Sequence, residues 1–110
     1  MVEINKDTFS KEVLEAEGLV MVDFWLNTCR PCMVLKPKLE ELVLKYENRA
    51  KFCKIELSGG RRIAISQGVM SVPAVAFYRN GSQVTLITEK MLMEHGIQVV
   101  EEKLNELLVA

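Results

Sequence analysis

Cys29 and Cys32 enclose Arg30 and Pro31 in a Cys-x-x-Cys spacing that serves either thiol-disulfide exchange or one half of a zinc site. Upstream, Leu19-Val20-Met21-Val22-Asp23-Phe24-Trp25-Leu26 is continuous, β-branched and aromatic-rich, as expected of a central strand covered on both faces. Downstream, Pro31 suits the first turn of a helix, where its missing N–H has no intrahelical partner. Cys29 therefore falls where a buried strand meets a helix N-terminus, and the free backbone N–H groups and helix dipole there favour a thiolate. A thiolate at that point is a nucleophile. Cys32, one helical turn on, can attack the mixed disulfide formed at Cys29 and release the reduced substrate. Zinc would need two more ligands, for which Cys53 and His95 are the soft candidates. Cys53 reads as a small buried residue in mid-strand, and His95 as exposed near a helix start.

The elements that position the pair follow from periodicity. Phe9, Val13, Leu14 and Ala16 recur at helical spacing from an N-cap at Asp7 until Gly18. After the cysteines, Val34, Leu35, Leu39, Leu42 and Val43 predict a long helix toward Tyr46, with Pro37 kinking it without ending it. Lys51 to Leu57 predicts a strand, Gly59-Gly60 a turn, and Arg61 to Gln67 a short helix stopped by Gly68. Val75-Ala76-Phe77-Tyr78 and Val84-Thr85-Leu86-Ile87 flank Asn80-Gly81, the signal for an antiparallel hairpin. Ile97, Val100, Leu104, Leu107 and Leu108 line one face of a terminal helix, opposite Glu101, Glu102, Lys103 and Asn105. Helices alternating with strands, then a hairpin, imply a mixed sheet with helices on both faces.

Composition narrows the function classes. The 110 residues are 49% apolar and 26% charged, enough for one domain with its own core and too few for two. Fourteen basic against fifteen acidic side chains give a net charge of −1, and no basic run exceeds Arg61-Arg62, so neither nucleic acid nor an anionic membrane is expected as a partner. The apolar runs are far shorter than the roughly 20 residues of a membrane span. The first residues show no basic stretch followed by an apolar core and cleavage site, and three cysteines do not make a secreted disulfide scaffold. A cytoplasmic monomer is expected.

The segment Val22-Asp23-Phe24-Trp25-Leu26-Asn27-Thr28-Cys29-Arg30-Pro31-Cys32, with Pro37 in the following helix, resembles the active-site stretch of thioredoxins. Gly68-Val69-Met70-Ser71-Val72-Pro73-Ala74, followed by an apolar strand and Asn80-Gly81, is similar to the family's second signature, in which the proline has a cis peptide bond. The resemblance runs from Phe9 to the terminal helix. It implies an α/β thioredoxin fold over residues 1–110 as a single domain, with a central mixed sheet of about five strands flanked by about four helices. It also implies a protein-disulfide reductase in which Cys29 attacks and Cys32 resolves. Asp23 matches the family's buried aspartate, the proton acceptor for the resolving cysteine, and Lys54 its lysine neighbour. A carboxylate in an apolar strand has a raised pKa, which suits that role near neutrality.

By the same resemblance, Trp25 packs beside the cysteines and Pro73 faces them across a substrate groove bordered by Thr28, Arg30, Pro31, Val72 and Ala74. No cofactor is implied beyond the redox-active disulfide itself. Electrons would come from a separate thioredoxin reductase or other donor and pass to disulfide-containing proteins. Three residues depart from the family's pattern: Thr28 stands for Trp, Arg30 for Gly and Ala74 for Thr. After the last predicted strand come Thr88-Glu89-Lys90 and Met91-Leu92-Met93, where the family tends to have a glycine. The Arg30 cation should favour the Cys29 thiolate and raise the reduction potential by tens of millivolts at most, about 30 mV corresponding to roughly 1.4 kcal/mol. Two other readings stay open: a binding or adaptor module on the same fold, and a more oxidising isomerase-like or partner-dedicated redox protein.

Overall fold

Five strands, β1 (Val2–Ile4), β2 (Leu19–Trp25), β3 (Lys51–Glu56), β4 (Ala74–Arg79) and β5 (Ser82–Ile87), form one sheet in the order β1-β3-β2-β4-β5. The computed structural model describes residues 1–109. β2 is central: it runs parallel to β3, which is parallel to β1, and antiparallel to β4, which pairs antiparallel with β5. The apolar run that predicts a fully covered strand occupies that position because both its neighbours are strands and both its faces meet helices.

Alternation along the strands sorts the side chains into two cores. Val20, Val22, Phe24, Cys53 and Ile55 pack on one face with Phe9, Val13 and Ala64, under a π-helical turn (Ser10–Leu14) and α2 (Arg61–Ser66). Leu19, Met21, Phe52, Val75 and Phe77 pack on the other, under α1 (Arg30–Tyr46), α3 (Glu89–His95) and α4 (Gln98–Val109). By the same period of two, Asp23 and Lys54 stand on the α1 face, paired across β2 and β3. α1 runs unbroken through Pro37.

The hairpin turns at Asn80 (φ 50°) and Gly81 (φ 85°), the left-handed pair that a two-residue turn of its hand requires. A Cβ at Gly81 would run into the Leu14 carbonyl, while Asn80 Oδ1 accepts the Gly18 N–H at 2.8 Å. The hairpin tip thereby clamps the entry to β2.

Several expectations are corrected. Asp7 caps no helix: Asn5 Oδ1 accepts the N–H groups of Asp7 at 2.8 Å and Thr8 at 3.1 Å in a turn, and the helical element after it is capped at Phe9 without a side-chain bond. That element is the π-helical turn Ser10–Leu14, which stops short of Gly18. β1 has no counterpart in the periodicity reading, because three residues cannot display a strand pattern. The predicted terminal helix is preceded by a separate one, α3, capped by Thr88 Oγ1 accepting the Met91 N–H at 3.3 Å and ended at Gly96 (φ 66°). His95 is exposed, in the last turn of α3 and just ahead of the start of α4.

Candidate functional site

Cys29 and Cys32 form a disulfide at the N-terminus of α1, with Cα atoms 5.3 Å apart. Cys29 is the N-cap, and its Sγ accepts the Cys32 backbone N–H at 3.2 Å. That donor, the helix dipole and the lack of any acid in the first turn of α1 all favour negative charge on Cys29 Sγ once the bond is reduced. Cys29 is half-buried, whereas Cys32 is only 4% exposed. One sulfur faces incoming molecules and the other stays behind it.

The loop opposite reaches the outer sulfur. The Val72–Pro73 peptide bond is cis, as the resemblance implies, and the Val72 carbonyl oxygen lies 3.8 Å from Cys29 Sγ. Pro73 is buried, Val72 half-buried, and Thr28 and Arg30 are exposed. Ala74 is 2% exposed and pairs with Phe24, lining a small cavity of about 80 Å³ behind the loop instead of the open groove. A cleft of about 490 Å³ opens on one side of Val72, between Leu26, Leu57, Ile65 and Met70.

Asp23 is the one buried charged residue among the described residues, at 7% exposure. Burial pushes its carboxyl up to about 7, against a smaller downward pull from Lys54. The group therefore titrates in the range where a proton acceptor works, on the sheet face covered by α1. Trp25 ends β2 with its ring 5.5 Å below Lys36 Nζ, a cation–π contact that holds the indole against α1. Its Nε1 is buried without a hydrogen-bond partner, alone in this among the described residues' side chains. Cys53 is fully buried in β3, its thiol pushed up by burial. Among the described residues no three His, Cys, Asp or Glu side chains gather where they could hold a metal ion.

Sequence reasoning missed Glu56. From the end of β3 its Oε2 accepts the Asn27 N–H at 3.0 Å, and its Oε1 accepts the Ser58 N–H at 2.9 Å. Partial burial pushes this carboxyl up, but the donors from Asn27 and Ser58 outweigh it and hold it below its usual range. The Asn27 bond pins the turn whose next link is the Cys29 N–H donating to the Leu26 carbonyl at 3.1 Å. Replacing Glu56 by Ala is expected to cost about 1 kcal/mol, less than the usual charge-assisted bond because the carboxylate is partly solvated. Urea unfolding of the oxidised protein reads that loss.

The thioredoxin family profile matches residues 1–102. The chain belongs to the thioredoxin family. It is 46% identical over 103 residues to a thioredoxin of Peptoclostridium acidaminophilum, covering 94% of each chain. It is 34% identical over 103 residues to a thioredoxin of Acetoanaerobium sticklandii, covering 94% of this chain and 98% of that one. In fold it is similar to the crystal structure of Chlamydomonas reinhardtii thioredoxin f2, with a TM-score of 0.78 at 24% identity over 94% of this chain and 95% of that one. Thioredoxins are thiol-disulfide oxidoreductases that reduce protein disulfides, and this chain is one of them. The family works through a redox-active disulfide, with a thioredoxin reductase as its usual electron source and disulfide-bearing proteins as substrates. No helix among the described residues is long and apolar enough to cross a membrane.

Proposed function

We propose that Cys29 is the attacking cysteine and Cys32 the resolving one of a protein-disulfide reductase, with Asp23 taking the proton from Cys32 and Lys54 tuning Asp23. The observation that carries this is the asymmetry of the pair: Cys29 Sγ is half-buried at a helix N-terminus and accepts a backbone N–H, while Cys32 is buried behind it. The reduced Cys29 thiolate attacks a substrate disulfide, whose far sulfur leaves as a thiol. Cys32 then attacks Cys29 Sγ, the Cys29–Cys32 bond forms, and the second substrate thiol is released. Trp25, Thr28, Arg30, Pro31, Val72 and Pro73 form the surface a substrate meets, with Ala74 supporting the loop from behind. Residues 1–110 act as one domain and a monomer, in the cytoplasm, carrying electrons from a separate reductase and needing no cofactor. The test is reduction of a protein disulfide by the purified protein with NADPH and a bacterial thioredoxin reductase. Loss of turnover in Cys29→Ser supports the assignment, and full turnover in that variant contradicts it.

Arg30 sits at the first position of α1, exposed beside Cys29. Its cation adds to the helix dipole in stabilising the thiolate, so Arg30→Gly is expected to raise the Cys29 pKa and lower the reduction potential by about 10–30 mV. Alkylation rates against pH and equilibration with glutathione buffers measure the two. An unchanged potential would show that solvent screens the charge.

A further inference from the structure

An apolar groove of about 270 Å³ lies between α1 and α3 and reaches Arg30 and Pro31 at the start of α1. Val34, Met93 and Ile97 wall it over Leu92. Val34 is 57% and Met93 54% exposed, so two large apolar side chains of the groove are open to an incoming molecule. The groove exists because of α3, the helix that Thr88 starts and Gly96 ends. Arg30 and Pro31, the two residues between the cysteines, are part of its lining, so a segment seated in it lies against the turn that carries the cysteine pair. The charged residues that line it are Arg30 and Lys38, both exposed, and no carboxylate lines it among the described residues. This cationic rim is local, since the chain as a whole carries a net charge of −1.

Resting on the reductase reading above, we propose that this groove selects the substrate: a disulfide-bearing protein segment that seats an apolar side chain against Val34 and Met93 and sets an Asp or Glu beside it, facing Arg30 and Lys38. The apolar anchor supplies contact area and the paired charges supply orientation and encounter rate. The reaction is the exchange already described. Two electrons and two protons leave Cys29 and Cys32, the substrate S–S bond breaks into two thiols, and the Cys29–Cys32 bond forms.

The test uses the pre-reduced full chain in single turnover against two disulfide peptides that differ only in carrying Glu or Lys next to a Leu near the disulfide. Each rate is divided by that of the same protein with hydroxyethyl disulfide, which is uncharged and too small to fill the groove. At low ionic strength the Glu peptide is expected to react about threefold to tenfold faster than the Lys peptide, the margin shrinking at about 1 M salt. Lys38→Glu should erase or reverse that preference. Met93→Ser should slow both peptides by about threefold or more while keeping the preference. Equal rates for the two peptides with the wild-type chain, or a preference that survives Lys38→Glu, overturns the proposal. Failure to reduce hydroxyethyl disulfide at all overturns the dithiol reading itself, so the two failures are distinguishable.

Discussion

Cys32→Ser is expected to convert the protein from a catalyst into a trap. Cys29 keeps its helix N-terminus and the N–H donated by residue 32 at 3.2 Å, because that donor is backbone and survives the substitution. Attack on a substrate disulfide therefore proceeds, but the mixed disulfide has no internal thiol to resolve it. Release then depends on thiols from solution. An intramolecular nucleophile held one helical turn away is worth a very high effective concentration, so turnover should fall on the order of 10³-fold or more. Incubating the variant with a disulfide-bearing protein should leave a covalent adduct on Cys29, seen by mass and lost on adding dithiothreitol. Cys29→Ser should give neither turnover nor adduct. An adaptor built on the same fold would hold its partners in reducing agent and trap nothing.

Asp23→Asn should stabilise the protein and slow it at the same time. The carboxyl sits at about 7 in the fold against its ordinary 3.8, with burial the main cause and Lys54 only partly offsetting it. A raised carboxyl binds its proton more tightly in the folded chain than in the unfolded one. Its contribution is therefore intact below about pH 4 and is lost as pH rises through about 7. About three units of difference set an upper bound near 4 kcal/mol for the burden carried above neutrality. Asparagine keeps the shape without the charge, yet leaves an amide to satisfy, so a gain of about 2 kcal/mol at about pH 8 is the expected outcome. Urea midpoints of the oxidised protein should show that gain fading toward zero as pH falls to about 4. A gain independent of pH would place its origin in packing, not in ionisation. Turnover should drop about tenfold to a hundredfold near neutrality, because Cys32 loses its proton acceptor, and recover at alkaline pH where the thiol ionises by itself.

The site was legible in the sequence where its determinants are local. The strand leading to Trp25, the helix opened by Pro31 and the Asn80-Gly81 turn each carry their signal within a few residues, and each forms as read. The cis bond before Pro73 was legible only through resemblance, since nothing in an isolated Val-Pro step specifies it. Glu56 was not legible at all: its partner Asn27 lies 29 residues away, and an acid at a strand end carries no mark of the backbone it will cap. β1 gains its pairing from β3, through Val2 opposite Cys53 and Ile4 opposite Ile55, not from any pattern of its own. The seven residues of α3 were equally hidden, although Thr88 before them and Gly96 after them are start and stop signals. Read with those signals, Met91-Leu92-Met93 becomes part of a helix facing α1 across the groove, with Leu92 in the core and Met93 left facing the groove.

If Cys29 and Cys32 exchange two electrons as a unit poised for reduction of protein disulfides, equilibrating the purified protein with defined thiol-disulfide buffers and alkylating the free thiols will show it. A single two-electron transition is expected, in which Cys29 and Cys32 become protected together while Cys53 takes no part. Its potential should lie within tens of millivolts of about −270 mV, the value already established for thioredoxins, displaced upward by Arg30. A potential at or above about −180 mV, or cysteines that titrate independently, would show that the pair is not a dithiol reductant of protein disulfides.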